Sequence, residues 1–232
     1  MAPVENSLAG SIHDVWDLFC ENPSIPATGE IRLRVVHCLI GLPGATLADI
    51  RRVRSHPQAL AQCGDYLCAL DGVEVEAVYD TAGAVQIIKF EDCRREAAIA
   101  SAQAAADHGM QILAEDLSAA DNFTRFLVLG DGAASASAPR EQVQTNVKTT
   151  VVLEMEQAAA GLPAVLGVLA RNGIEVLKVE THKRVGRPWA YRVYLEFAGA
   201  AQPAIDEIAD LVADVCVVGT YPTGVAAEPR LH

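Results

Sequence analysis

The spacing of apolar positions along the chain changes period repeatedly, and each change marks a new element. Ile12, Val15, Trp16 and Phe19 recur at helical spacing, so residues 8–20 read as an amphipathic helix. Residues 30–40 alternate and then run apolar, which predicts a strand. Leu42-Pro43-Gly44 is a turn, followed by a short helix over 46–50 and a short strand over 52–54. Residues 57–70 read as a helix with Pro57 in its first turn. Strands follow at 73–79 and 97–101, with helices at 81–90 and 101–108, the second closed by Gly109. Residues 110–114 and 126–129 read as two further strands. Such alternation predicts an α/β domain with a largely parallel sheet.

Residues 131–139 are small and featureless, and 131–146 read as a linker. Beyond it the pattern is strand 147–155, helix 163–171 ended by Asn172-Gly173, strands 174–180 and 188–197, helix 202–213 and strand 215–221. That order is βαββαβ, the ferredoxin-like arrangement. The expected division is therefore 1–130, a linker 131–146, and a second module 147–232.

Composition narrows the class. Of 232 residues, 51% are apolar and 21% charged, as expected of a globular chain. No apolar run reaches the roughly 18 residues of a membrane helix, and the N-terminus has no secretory pattern, so the expected location is the cytoplasm. A net charge of −12 argues against a nucleic-acid partner, while leaving room for a small anion held by local cations. The six cysteines form no metal-binding spacing and read as buried reduced thiols, with no cofactor or metal implied.

Three polar clusters stand at predicted element ends, where α/β sheets bind ligands: Glu5-Asn6-Ser7, Ser55-His56-Pro57-Gln58 and Asp121-Asn122-Phe123-Thr124-Arg125-Phe126. Asp80-Thr81 is a weaker fourth. Taken singly, each is better explained by a structural role such as helix capping than by catalysis. Arg125, between Phe123 and Phe126 just before an apolar strand, needs an anion if buried: either a ligand carboxylate or a structural Glu or Asp.

Together these segments resemble the prephenate dehydratase family. Asn122-Phe123-Thr124-Arg125-Phe126 resembles its Asn-x-Thr-Arg-Phe signature, and Pro3-Val4-Glu5-Asn6-Ser7 its Pro-Ile-Glu-Asn-Ser segment. Ser55-His56-Pro57-Gln58-Ala59-Leu60-Ala61-Gln62-Cys63 and Ala98-Ile99-Ala100-Ser101 are similar to two further blocks, and Lys148-Thr149-Thr150 to the opening of its ACT domain. The resemblance implies a periplasmic-binding-protein-like dehydratase domain followed by a ferredoxin-like ACT regulatory domain.

It also implies the reaction, loss of CO2 and water from prephenate to give phenylpyruvate in phenylalanine biosynthesis, without a cofactor. Thr124 would assist departure of the ring hydroxyl. Arg125 would hold a substrate carboxylate, and Glu5, Asn6, Ser7, Ser55, Gln58, Thr81, Asn122 and Phe126 would complete the substrate site. Ala160, Gly161, Leu162, Glu180 and Thr181 stand where the family's effector motifs lie, with L-phenylalanine as the implied effector. The sequences there depart from the family's, and Glu180 is kept. Asp80-Thr81-Ala82 resembles the plant-like branch, where arogenate can replace prephenate. The family's upstream Gly-Pro-x-Gly-Thr segment has no counterpart, so the dehydratase domain is expected to be incomplete. A homodimer or homotetramer through 147–222, and no membrane partner, complete the expectation. The alternative is a non-catalytic amino-acid-sensing remnant.

Overall fold

A computed structural model describes residues 1–130, 147–156, 158–184, 187, 190–224 and 226–227. The expected linker lies outside the described residues. The chain forms two compact units, one built from residues 1–5, 11–32 and 125–226, the other from 6–10 and 33–124.

β1 (Ala2–Asn6), β2 (Gly10–Ser11), β3 (Ala27–Arg34), β9 (Phe123–Leu129) and β14 (Ala226–Ala227) form a sheet of order β14-β3-β9-β1-β2, most of whose residues belong to the first unit. The sheet wholly within the first unit holds β10 (Val147–Met155), β11 (Val176–Lys183), β12 (Tyr191–Ala198) and β13 (Asp214–Pro222), in the order β11-β12-β10-β13 and antiparallel throughout. With α6 (Ala158–Arg171) and α7 (Gln202–Ala209) the chain order is βαββαβ. The helix expected at 163–171 begins earlier, and Pro163 stands inside it. The alanines ahead of the proline favour helix strongly enough to extend it.

Strand alternation explains how β10 is buried on both faces. Val151, Leu153 and Met155 pack with Val165, Val168 and Leu169 of α6 and Ile205 and Ile208 of α7. Val152 faces the other way and packs with Tyr194, Val218, Tyr221 and the aromatic pair Trp16 and Phe19. Those two rings belong to α1 (His13–Glu21), which is shorter than the helix expected over 8–20.

The second unit carries β4 (Cys38–Gly41), β5 (Arg52–Ser55), β6 (Glu74–Ala77), β7 (Glu96–Ala100) and β8 (Gln111–Ala114) in the order β6-β5-β7-β4-β8. The sheet is mixed, not largely parallel: β5 runs parallel to β6 and β7, while β4 is antiparallel to β7 and β8. Residues 30–40 are two strands. β3 ends at Arg34, the Val35 N–H donates to the Asn122 carbonyl at 2.8 Å, and β4 then begins in another sheet. The helix expected over 57–70 divides at Cys63 into α2 (Pro57–Gln62) and α3 (Gly64–Cys68).

Small alanines in β7 let helices approach both faces of the sheet. Ala98 and Ala100 pack under α4 (Thr81–Glu91) and α5 (Ala102–His108), with Ala97 and Ile99 against Ala59 and Leu67 of the α2 and α3 pair. Gly109 ends α5 at φ 64°, the left-handed conformation glycine adopts without strain. All six cysteines are free; Cys38 and Cys63 are buried as expected, whereas Cys68 is exposed. Burial pushes the Cys63 thiol up to about 12, so it stays protonated.

Candidate active site

Each segment that reaches the candidate site is fixed by local hydrogen bonding. His56 caps α2, its Nδ1 accepting from the Gln58 N–H at 3.2 Å, which leaves the Gln58 side chain outside the cap. Asp80 caps α4 by accepting from the Gly83 N–H, placing Thr81 at the first helical position. Ser7 closes onto the turn before β9: its hydroxyl donates to the Asp121 carbonyl at 2.6 Å and accepts from the Phe123 N–H at 2.8 Å.

These constraints surround a cavity of about 300 Å³ in the second unit, lined by Asn6, His37, Gln58, Gln62, Thr81 and Thr124 among others. A neighbouring cavity of about 610 Å³ shares His37 and Thr81 and continues along the start of α5. Five separate sequence segments thus contribute polar groups to one small space, the usual composition of a small-molecule site. Asn6 is the connecting residue. Its Nδ2 donates to Asn122 Oδ1 at 2.9 Å, to the Phe123 carbonyl at 3.2 Å and to Thr124 Oγ1 at 3.2 Å. Asn122 is fully buried, and its own Nδ2 has no hydrogen-bond partner among the described residues.

Other expected site residues lie elsewhere. Ser55 is fully buried, and its hydroxyl donates to the Ile99 carbonyl at 2.6 Å, tying β5 to β7. Arg125 follows Thr124 on β9, so strand alternation turns it to the opposite face. The carboxylate it holds belongs to the protein. Nη1 meets Glu196 Oε2 at 3.0 Å while Nη2 bonds Glu196 Oε1, and Glu5 lies at 3.3 Å. Lys148 pairs with Glu30 and, at 3.3 Å, with Glu196. Burial opposes ionisation of Glu196, but the Arg125 hydrogen bonds and charge win and hold its carboxyl below the usual range. Glu5 is likewise taken, by Lys178 at 2.6 Å. Neither Arg125 nor Glu5 lines the cavity that contains Thr124. Phe126 is half-buried within β9.

Of the expected effector residues, Gly161 and Leu162 lie in α6, as does the backbone of Ala160. Leu162 packs against the helix-covered core. Glu180 and Thr181 lie on β11. Glu180 accepts from Ser11 at 2.5 Å and pairs with Lys178 at 3.2 Å. Those contacts overcome burial and keep its carboxyl below the usual range.

His37 and Gln62 were not among the expected site residues, although both line the cavity and bond to one another at 2.9 Å. Their signal was a polar residue interrupting an apolar pattern. No cluster suited to a metal ion occurs among the described residues, and no described helix is long and apolar enough to cross a membrane.

The sequence profile described as prephenate dehydratase matches residues 1–134, over half of the chain. The chain belongs to the prephenate dehydratase family. Among curated members, arogenate dehydratase/prephenate dehydratase 2 of Arabidopsis thaliana, a chloroplastic protein, is 37% identical over 95% of this chain and 60% of its own length. The bifunctional chorismate mutase/prephenate dehydratase of Escherichia coli is 29% identical over 96% of this chain and 58% of its own. The chain therefore spans about 60% of the length of such relatives. The solved structure of GqqA, described as a novel type of quorum quenching acylase, has a TM-score of 0.81 at 31% identity, covering 96% of this chain and 81% of that one. Prephenate dehydratase of Arthrobacter aurescens, solved in complex with L-Phe, shares the fold with a TM-score of 0.82 at 24% identity, over 95% of this chain and 74% of its own.

Proposed function

We propose that this chain catalyses the decarboxylating dehydration of prephenate to phenylpyruvate, with arogenate as the close alternative substrate. The observation that carries this reading is the Thr124 hydroxyl set in a polar cavity with Asn6, Gln58 and Thr81, residues drawn from separate family motifs. In the reaction the bond to the ring carboxylate breaks, its electron pair enters the ring, and the ring hydroxyl departs as water after gaining a proton. Aromatisation drives the step, so the protein's task is orientation and stabilisation of the leaving group. Thr124 Oγ1 donates a hydrogen bond to the departing hydroxyl; as a weak acid it acts chiefly by position and charge stabilisation. Gln58 and Thr81 orient the substrate.

On this reading residues 1–130 are a periplasmic-binding-protein-like dehydratase domain and 147–232 an ACT-type regulatory module. L-phenylalanine is its candidate effector, and the Glu180 cluster on β11 its candidate polar anchor. A second reading is amide hydrolysis, supported by the 31% identity to GqqA over nearly the whole chain. Incubating the purified chain with prephenate, arogenate and an N-acylated amine in parallel separates them. Phenylpyruvate from prephenate, or phenylalanine from arogenate, supports dehydration. Release of a free acid from the amide alone supports the second reading. No turnover by the folded chain points to a non-catalytic amino-acid sensor, a role calorimetry with L-phenylalanine tests directly.

A further inference from the structure

A hydroxyl can donate to a leaving group only if its proton is not already spent, and the hydrogen bonds around Thr124 decide where that proton goes. Asn6 Oδ1 accepts from the backbone N–H of Leu8 at 3.0 Å and of Ala9 at 2.9 Å. Backbone N–H groups only donate, so this end of the amide must be its oxygen. The other end is then the NH2 group, which donates to Thr124 Oγ1. Thr124 therefore receives a hydrogen bond from Asn6, and its own proton has no other partner among the described residues.

The Asn6 oxygen is also approached by Gln62 Nε2 at 3.4 Å. With its nitrogen toward Asn6, Gln62 offers its oxygen to His37 Nε2 at 2.9 Å. The order of donors is thus His37 to Gln62 to Asn6 to Thr124, all pointing one way. Asn6 is only 4% exposed, and both ends of its amide are occupied inside the protein. It has no polar capacity left for a substrate.

We propose that Asn6 is a positioning residue, held by the Leu8 and Ala9 amides and by the Gln62–His37 pair, that turns the Thr124 proton into the cavity. This rests on the reading of Thr124 as donor to the departing hydroxyl. Asn6 would then act through Thr124 and not by touching substrate, the role the family motif alone suggested for it.

Asn6→Asp tests the polarity with almost no change of shape. A carboxylate still accepts from Leu8 and Ala9 but offers Thr124 only an acceptor, so the hydroxyl turns back and donates to it. Asn122 can rotate its unpartnered Nδ2 onto the new oxygen, which limits the cost to folding. The expected result is a fall in kcat for phenylpyruvate formation of ~100-fold or more with KM within ~3-fold. Combined with Thr124→Ala, Asn6→Asp should add no further loss, because both changes remove the same donor. Losses that multiply, or a raised KM at unchanged kcat, would overturn the proposal. A neutron structure of the deuterated wild-type chain reads the same point without turnover. The expected map puts a deuteron on His37 Nε2 and the Thr124 deuteron toward the cavity; a Thr124 deuteron lying on the line to Asn6 overturns the proposal. Failure of the wild-type chain to convert prephenate or arogenate would reject the dehydratase reading instead, and the neutron map would still decide the polarity.

Discussion

Neighbouring residues of one motif do different work here. Ser55 and Gln58 belong to one short segment, yet the Ser55 hydroxyl is spent on the Ile99 carbonyl inside the sheet while Gln58 borders the cavity. Ser55→Ala is therefore expected to cost about 1 kcal/mol of stability and leave KM unchanged, whereas Gln58→Ala should raise KM by about 10-fold with little loss of stability. Thermal melts and steady-state kinetics on the two variants check both halves. Arg125 makes the same point on β9. Its guanidinium, Lys148, Glu30 and Glu196 form a buried charged cluster whose members neutralise one another. Removing one charge strands the rest, so Glu196→Gln should destabilise the chain by about 3–5 kcal/mol in urea unfolding. A change below about 1 kcal/mol would show that the cluster contributes no net stability. Strand alternation separates Thr124 from Arg125 because β9 begins at Phe123, three residues before the strand read over 126–129. The buried carboxylate that answers Arg125 is not legible in the sequence, because Glu196 lies 71 residues away on β12.

α1 shows how one helix is specified by the sheet it covers. Its positions 13, 16, 17 and 20 share a face. His13 stacks on His182 with ring centres 3.8 Å apart, Trp16 stacks on Tyr194 at 5.6 Å, Asp17 pairs with Arg192, and Cys20 meets Cys216. Burial and the neighbouring His182 hold the His13 pKa below its ordinary 6.5, with Glu180 and Asp17 pulling the other way. A histidine kept neutral by folding contributes stability above its unfolded pKa, and that contribution is lost as pH falls from 6.5 through the folded value. Between about pH 7.5 and 5.5 the wild-type Tm should fall further than that of His13→Gln. Equal slopes would show that this imidazole is not linked to folding. The helical period of residues 12–19 was readable from sequence, as were β10, α4 and the glycine stop after α5. The single strand read over 30–40 was not what forms. Apolar alternation continues through it, but a backbone bond from Val35 to the Asn122 carbonyl ends one strand before the next joins another sheet. That same break delivers His37 to the cavity, and a periodicity argument has no way to see it.

At the scale of the whole molecule, residues from the family motifs separate into a polar cavity around Thr124 and a buried charged cluster around Arg125. The first unit also leaves apolar side chains on its edge strands: Leu177 and Val179 of β11 are 45% and 39% exposed, and Val217 of β13 is 42% exposed. Such a surface favours self-association, so light scattering at micromolar concentration should report a dimer or larger. Leu177→Lys combined with Val179→Lys should shift it toward monomer; a wild-type monomer would contradict this expectation.

If the Thr124 cavity dehydrates prephenate, the purified 232-residue chain forms phenylpyruvate and its Thr124→Ala variant, assayed beside it, does so far more slowly. The expected result is turnover by the wild-type chain and a loss of at least ~100-fold in the variant, with stability altered by less than about 1 kcal/mol. Turnover retained by Thr124→Ala would contradict this role for the cavity.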